Sequence, residues 1–250
     1  MLKLVLPLAL ALASGLASAQ TPPPSPVTGN ITLASEYRFR GIDQTFGKPA
    51  IQGGFDYSHA SGIYLGNWNS NVSQGAGFPG GNIEMDFYGG YKKAFGDFGV
   101  DVGFIYYAYP GTDPKIDNKE IYIGGSWKFL SAKLFYSLDD YFSVRGDNDQ
   151  STKGTTYLDL AANHDLGSGW GLVAHYGRTN FKHVSDGSYS DWKLGVTKDI
   201  SGWLLGAAYV GTNAKGDCGN GEFYCFPNTD GSKVRDAGRS TLVFSVGKTF

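Results

Sequence analysis

The residues here that could do chemistry are charged side chains at alternate positions, not a catalytic constellation. In "SEYRFRGIDQT", residues 35–45, Glu36, Arg38 and Arg40 alternate with Tyr37 and Phe39. The same spacing sets Asp56, Glu84, Asp86 and Asp101 between apolar or glycine neighbours. Carboxylates and guanidinium groups on one face of several strands can select solutes by charge. They can equally pair with one another and brace a narrow interior.

Other patterns carry less. "GAGFPG" (75–80) has the glycine spacing of a dinucleotide-binding turn, but Pro79 and its long-loop setting exclude a strand–turn–helix phosphate site. "GKT" (247–249) lacks the earlier glycine of a P-loop, and "RGD" (145–147) is a three-letter match of the kind that arises by chance. "DND" (147–149) would hold a hard cation only weakly in an exposed loop. The four histidines, His59, His164, His175 and His183, are scattered, and no nucleophile elbow or H-E-x-x-H accompanies them. No catalytic residue, metal site or cofactor is therefore expected; an enzymatic barrel, with His164 and His175 brought close across a turn, stays as a third reading.

The elements that must position these charges follow from a period of two. Twelve such segments run 30–39, 50–58, 62–71, 82–94, 97–108, 118–129, 132–141, 154–165, 170–180, 189–199, 202–212 and 239–250. Each is long enough for the about 9–11 residues of a tilted membrane-crossing strand. No stretch shows a better helical period, so no helix is expected in the mature chain. The abundance of glycine (37 residues) and of aromatics (15%) agrees with an all-β chain rich in turns.

The connections alternate strictly in length. Short ones fall at 59–62, 95–98, 130–132, 166–169 and 200–202; long ones fall at 40–49, 72–81, 109–117, 142–153, 181–188 and 213–238. Tight turns at one end and long loops at the other mark an outer-membrane barrel, with the short turns periplasmic. The last segment, "STLVFSVGKTF", puts Leu242, Phe244, Val246 and Phe250 on one face, interrupted by Lys248. A terminal strand ending on an aromatic resembles the signal read by the bacterial barrel-assembly machinery, which makes Phe250 the expected assembly signal.

A charge in mid-bilayer costs about 2–4 kcal/mol, so apolar faces must look outward. That rule turns Val100, Val102, Phe104 and Tyr106 out and Asp101 and Tyr107 in. It turns Ile83, Met85 and Phe87 out with Glu84, Asp86 and Tyr88 in, and Trp192, Leu194 and Val196 out with Asp191 and Lys193 in. In the first segment Ile31, Leu33, Tyr37 and Phe39 are expected on lipid, with Glu36, Arg38 and Arg40 inside. These arginines are expected to pair, in water, with Glu84, Asp86, Asp56 or Asp101 across the lumen. Trp127, Trp170 and Trp203 adjoin short turns and would meet the periplasmic headgroups; Tyr109, Tyr141 and Phe142 would meet the opposite ones.

The chain ends supply the compartment. Lys3, the apolar run Leu4–Ala13 and Ala17-Ser18-Ala19 compose a secretory signal peptide over 1–19, cleaved after Ala19. The run falls short of the about 20 apolar residues of a membrane anchor. A Pro-rich leader, 20–29, precedes the barrel, 30–250. The net charge of −2, with no basic cluster, argues against a nucleic-acid partner. Cys218 and Cys225 are the only cysteines; in an exported chain, with no histidine in their segment, they are expected to form a disulfide.

The stretches "SEYRFRGIDQT", "PAIQGGFDYSHASGIYLGNWNSNV" (49–72) and "EMDFYGGYKK" (84–93) resemble the TorF family of porin-like proteobacterial outer-membrane proteins. The resemblance implies a porin-like barrel and brings no solute and no catalytic residues. The expectation is one twelve-stranded antiparallel barrel in outer-membrane lipid, passing small hydrophilic solutes through a charged lumen. Its competitor is a non-conducting barrel whose long loops, above all 213–238, bind a surface partner.

Overall fold

The computed structural model describes residues 25–250. The expected signal peptide and the first half of the leader, 20–24, lie outside the described residues. In chain order the strands begin with β1 (Val27–Ala34), β2 (Arg38–Phe39), β3 (Ile42–Asp43), β4 (Ala50–Ser58) and β5 (Ile63–Asn71). Next come β6 (Ile83–Phe95), β7 (Phe98–Ala108), β8 (Asn118–Trp127), β9 (Leu130–Ser137), β10 (Thr156–Gly167) and β11 (Trp170–Asn180). The last are β12 (Tyr189–Ile200), β13 (Trp203–Thr212), β14 (Cys225–Pro227), β15 (Val234–Asp236) and β16 (Thr241–Thr249). Helix among the described residues is limited to three single 3-10 turns.

Twelve strands close into one antiparallel barrel, ordered β1-β16-β13-β12-β11-β10-β9-β8-β7-β6-β5-β4. Leu33 of β1 lies opposite Ile51 of β4 on one side and Val246 of β16 on the other, so the first and last barrel strands seal the sheet. Closure leaves no unpaired edge. At one end the strands turn tightly. Ser168-Gly169 and Ser201-Gly202 have both residues at positive φ (53° and 77°, 55° and 81°), the two-residue geometry that matches strand twist.

The pleat sorts side chains as the charge rule requires. Ile51, Phe55, Leu65, Val102, Ile123, Leu194, Leu205 and Phe244 are exposed on the outer wall. Such a continuous apolar surface suits an apolar surrounding phase rather than water. Trp127, Trp170 and Trp203 are exposed at the tight-turn end. Each carries an ammonium over its ring: Lys128 at 5.0 Å, Lys198 at 4.9 Å and Lys248 at 5.0 Å. Lys248 therefore does not break the apolar face; it sits on Trp203 at the rim, its stem along the ring.

The first strand departs from expectation. β1 spans Val27–Ala34 rather than 30–39, and its pairing with β4 ends at Ala34 opposite Ala50. The chain then leaves the wall and folds inward through 36–49. Tyr37 and Phe39, expected on lipid, are instead inside: Tyr37 is buried and Phe39 packs against the interior aromatic cluster. Period-two spacing persists to Arg40, but no neighbouring strand remains to hold that stretch in the wall. β2 and β3 form a minimal hairpin about Arg40-Gly41, both at positive φ (47° and 80°). Gly41 lies so close to the wall that an added Cβ would meet Thr212 at 2.4 Å and Asp191 at 2.7 Å.

Tyr109, Tyr141 and Phe142, expected at the outer headgroups, also belong to the interior cluster, because the long loops that carry them fold over the barrel mouth. The longest of these loops carries the β14–β15 hairpin and the disulfide between Cys218 and Cys225, whose Cα atoms are 5.0 Å apart.

Candidate functional site

The interior is built by side chains of the wall, of the inward 35–49 segment, of the 213–238 loop above it, and of other long loops that supply Phe78, Tyr109, Tyr141 and Phe142. All seven residues expected to line the lumen point into this space, but their partners are not those expected. Arg38 reaches Glu36 (3.0 Å) and donates from one nitrogen to the carbonyl oxygens of Gly41, Ala237 and Arg239 at 2.9 to 3.2 Å. Arg239 also reaches Glu36 (2.8 Å), and Arg235 reaches Asp43 (2.9 Å). Five charged residues and the carbonyls of Ala237 and Arg239 thus tie the hairpin to the connection between β13 and β16.

Arg40, at the hairpin tip, projects to the opposite wall. Its two terminal nitrogens donate to the two oxygens of Glu120 at 3.0 and 2.6 Å, and one also donates to the Tyr141 hydroxyl at 2.8 Å. The guanidinium lies 4.2 Å from the ring centre of Tyr157, 4.9 Å from Phe39 and 5.0 Å from Phe135. The Arg40 and Glu120 side chains are only 5% and 1% exposed. This pair is not the solvated one expected across the lumen. In water such a pair contributes about 0–1 kcal/mol. When buried, loss of one partner strands the other charge, at a cost of about 3–5 kcal/mol.

The remaining carboxylates are held by wall residues and, for Glu84, by Tyr37 of the inward segment. Asp101 accepts from Lys133 at 2.7 Å and from the Tyr64 hydroxyl at 2.6 Å. Asp56 accepts from the Tyr88 hydroxyl at 2.7 Å. Glu84 accepts from the Tyr37 hydroxyl at 3.0 Å, while its second oxygen and one oxygen of buried Asp86 have no donor among the described residues. None of these four carboxylates makes an ion pair with Arg38 or Arg40.

Residues beyond the seven expected to line the lumen complete the site. Glu120 and Lys133 are inward by the same alternation that turns Ile121, Ile123 and Leu134 out. His175 lies between two carboxylates, 2.8 Å from Asp191 and 3.3 Å from Asp159, with the Tyr157 hydroxyl at 3.0 Å. The signal for these was present in the period of two; which of them would meet was not. The arrangement offers fixed charges of both signs and many phenolic hydroxyls facing the barrel interior. Among the described residues, no three His, Cys, Asp or Glu side chains converge as a metal site.

At the outer rim, in the loop between β9 and β10, Asp140 organises its neighbours. Its carboxylate accepts from the Ser151 hydroxyl, from Arg145 (2.7 Å) and from the Thr152 amide (2.8 Å). These donors, Ser151 foremost, hold its pKa down to about 2.

Comparison with known proteins follows the architecture. A family model described as "Bacterial protein of unknown function (Gcw_chp)" matches residues 18–250. No curated protein matches. Among solved structures, the NanC porin aligns with a TM-score of 0.54 at 9% identity, over 89% of this chain and 98% of its own. The KdgM porin aligns at 0.52 and 10% identity, over 89% and 98%. A second structure of KdgM, in complex with disordered oligogalacturonate, aligns at 0.51 and 9%, over 90% and 97%. At these identities the likeness is one of fold.

Proposed function

The chain belongs to the Gcw_chp family of bacterial proteins, and we propose that it is an outer-membrane porin-like channel for passive diffusion of small hydrophilic solutes or ions. The observation that carries this reading is the closed twelve-stranded wall, apolar outside and charged within. An apolar exterior suits lipid, and a closed wall satisfies every strand edge there. The likeness in fold to porins of similar length supports it. Export through a signal peptide cleaved after Ala19, a barrel domain from residue 30 and assembly directed by Phe250 belong to the same reading. So does the TorF resemblance over residues 35–93.

In this reading Glu36, Arg38, Arg40, Asp56, Glu84, Asp86 and Asp101 form the wall of the passage, and the inward 35–49 segment narrows it at the long-loop end. Transport needs no cofactor and no catalytic step; lumen width and the fixed charges select the solute. One observation favours a second reading, a non-conducting barrel whose loops bind a surface partner. Tyr37 and Arg40 are buried across the lumen, and the 213–238 loop is fastened over them.

Single-channel conductance of residues 20–250 in a planar bilayer, at two salt gradients, separates the two. Steady openings are expected, with reversal potentials altered when Arg38 and Arg40 are neutralised. A folded, inserted protein that stays silent in both forms overturns the channel and leaves the loop-binding reading.

A further inference from the structure

The surroundings of Arg40 form a receptor as much as a brace. Every group that grips the guanidinium, apart from Phe39 on the hairpin itself, comes from the wall or from the loop between β9 and β10. Glu120 on β8 supplies both carboxylate oxygens, Tyr141 supplies a hydroxyl oxygen at 2.8 Å, and Phe135 and Tyr157 supply ring faces. Tyr107 donates its hydroxyl to Glu120 at 3.3 Å and so helps fix the carboxylate.

These donors and acceptors match one ligand shape. Two parallel bonds to one carboxylate suit the planar fork of a guanidinium, whereas an ammonium is a point charge and gains little from the second oxygen. Flat aromatic faces around the carboxylate favour the same delocalised cation. Glu120 is 1% exposed, so the wall needs a cation there whatever its source.

The cation now in the cage is delivered by an element outside the barrel sheet. The β2–β3 hairpin has two residues per strand and pairs with no barrel strand. By itself a hairpin this short is marginal, so its position depends on the contacts around it. It is held by the ion pairs of Glu36 and Asp43 with Arg235 and Arg239 of the overlying connection, by Arg38 on the carbonyls of Ala237 and Arg239, and by the packing of Tyr37 and Phe39.

We propose that the Glu120 cage is a binding site for guanidinium-bearing solutes, occupied at rest by Arg40 as an internal stand-in for the ligand. This deepens the channel reading and rests on it to the extent that solutes must enter the barrel. When the hairpin tip withdraws, a solute guanidinium takes its place, so the passage favours such cations over simple ammonium ions.

The test uses full-length mature protein folded in detergent, with methylguanidinium as probe at concentrations far below denaturing ones. In Arg40→Ala the cage is empty, and methylguanidinium raises the thermal midpoint of the unheated gel form as its concentration rises. The wild type moves less at the same concentration, because Arg40 must first be displaced; the double variant R40A/E120Q is unmoved, and methylammonium needs at least about tenfold more to match the effect. A folded R40A protein indifferent to methylguanidinium overturns the proposal, as does an equal response to methylammonium.

Should R40A not fold, hydrogen exchange on the wild type decides. Methylguanidinium, and not methylammonium, then speeds exchange of the amides in 38–43 by displacing Arg40; unchanged exchange overturns the site. Bilayer currents separate the two proposals. Openings without a guanidinium effect keep the channel and remove the site, whereas a thermal shift in a silent barrel keeps the site and removes the channel.

Discussion

Asp101 on β7 and Lys133 on β9 form a 2.7 Å ion pair that passes over the strand between them. Gly124 of β8 lies in register with both, and its missing side chain leaves room for the lysine stem: a Cβ there would meet Lys133 Cγ and Cε at 3.3 Å. Both ends of the pair are nearly buried.

Lys133→Met therefore leaves Asp101 with only the Tyr64 hydroxyl, and barrel stability should fall by about 3–5 kcal/mol. Asp101→Asn combined with Lys133→Met should recover most of the loss, because no charge is stranded. Urea unfolding of the four members of this cycle in lipid vesicles measures it. Additive losses would show that the two residues do not act as a pair.

Neighbouring residues on β12 test which face meets lipid. Leu194 is among the most exposed outer side chains, and Lys193 points inward beside it. Leu194→Arg should weaken folding into vesicles by about 2–4 kcal/mol, as a charge in mid-bilayer does. Lys193→Arg should fold nearly as wild type. The reverse order, read from the fraction of gel-shifted protein, would mean that the outer face does not contact hydrocarbon.

Reduction of the Cys218–Cys225 disulfide should loosen the loop and spare the barrel. The cysteines enclose six residues and no barrel strand. Non-reducing peptide mapping should find them joined, and reductant should speed proteolysis within 213–238 while leaving the unheated gel mobility unchanged. Loss of that mobility on reduction would show that the bond supports the barrel itself.

Asp140 should titrate far below an ordinary aspartate. With a folded pKa of about 2 and an unfolded one near 3.9, its hydrogen bonds favour the folded loop fully above about pH 4. That contribution fades as pH falls toward about 2, and raising pH restores it. The amide proton of Thr152, which donates to Asp140, should report the midpoint by NMR in micelles. A midpoint near 4 would mean that Ser151 and Arg145 do not hold the carboxylate, and Ser151→Ala should move it in that direction.

The number of barrel strands, the inner and outer faces of those strands and the end that carries the loops were legible in the residue order, the run from Ser35 to Arg40 excepted. The reason is local. A strand has a period of two, lipid penalises charge on one face only, and two-residue turns need residues such as the Ser-Gly pairs at 168–169 and 201–202. Each constraint acts within a dozen residues, so the one-dimensional pattern carries it. Glu120 and Lys133 obey the same alternation and could have been placed inside by it.

What filled the interior was decided only by closure of the barrel. Tyr37 and Phe39 continue the alternation of β1, yet they leave the wall because β4 ends at Ala50 and offers them no partner. Arg40 joins Glu120, 80 positions away in the chain, because the hairpin at Arg40-Gly41 carries it across the lumen to that wall. Arg235 and Arg239 reach Asp43 and Glu36 because the longest loop folds over the same mouth. Pairings of this kind depend on barrel diameter, register and loop path together, and no local period records them.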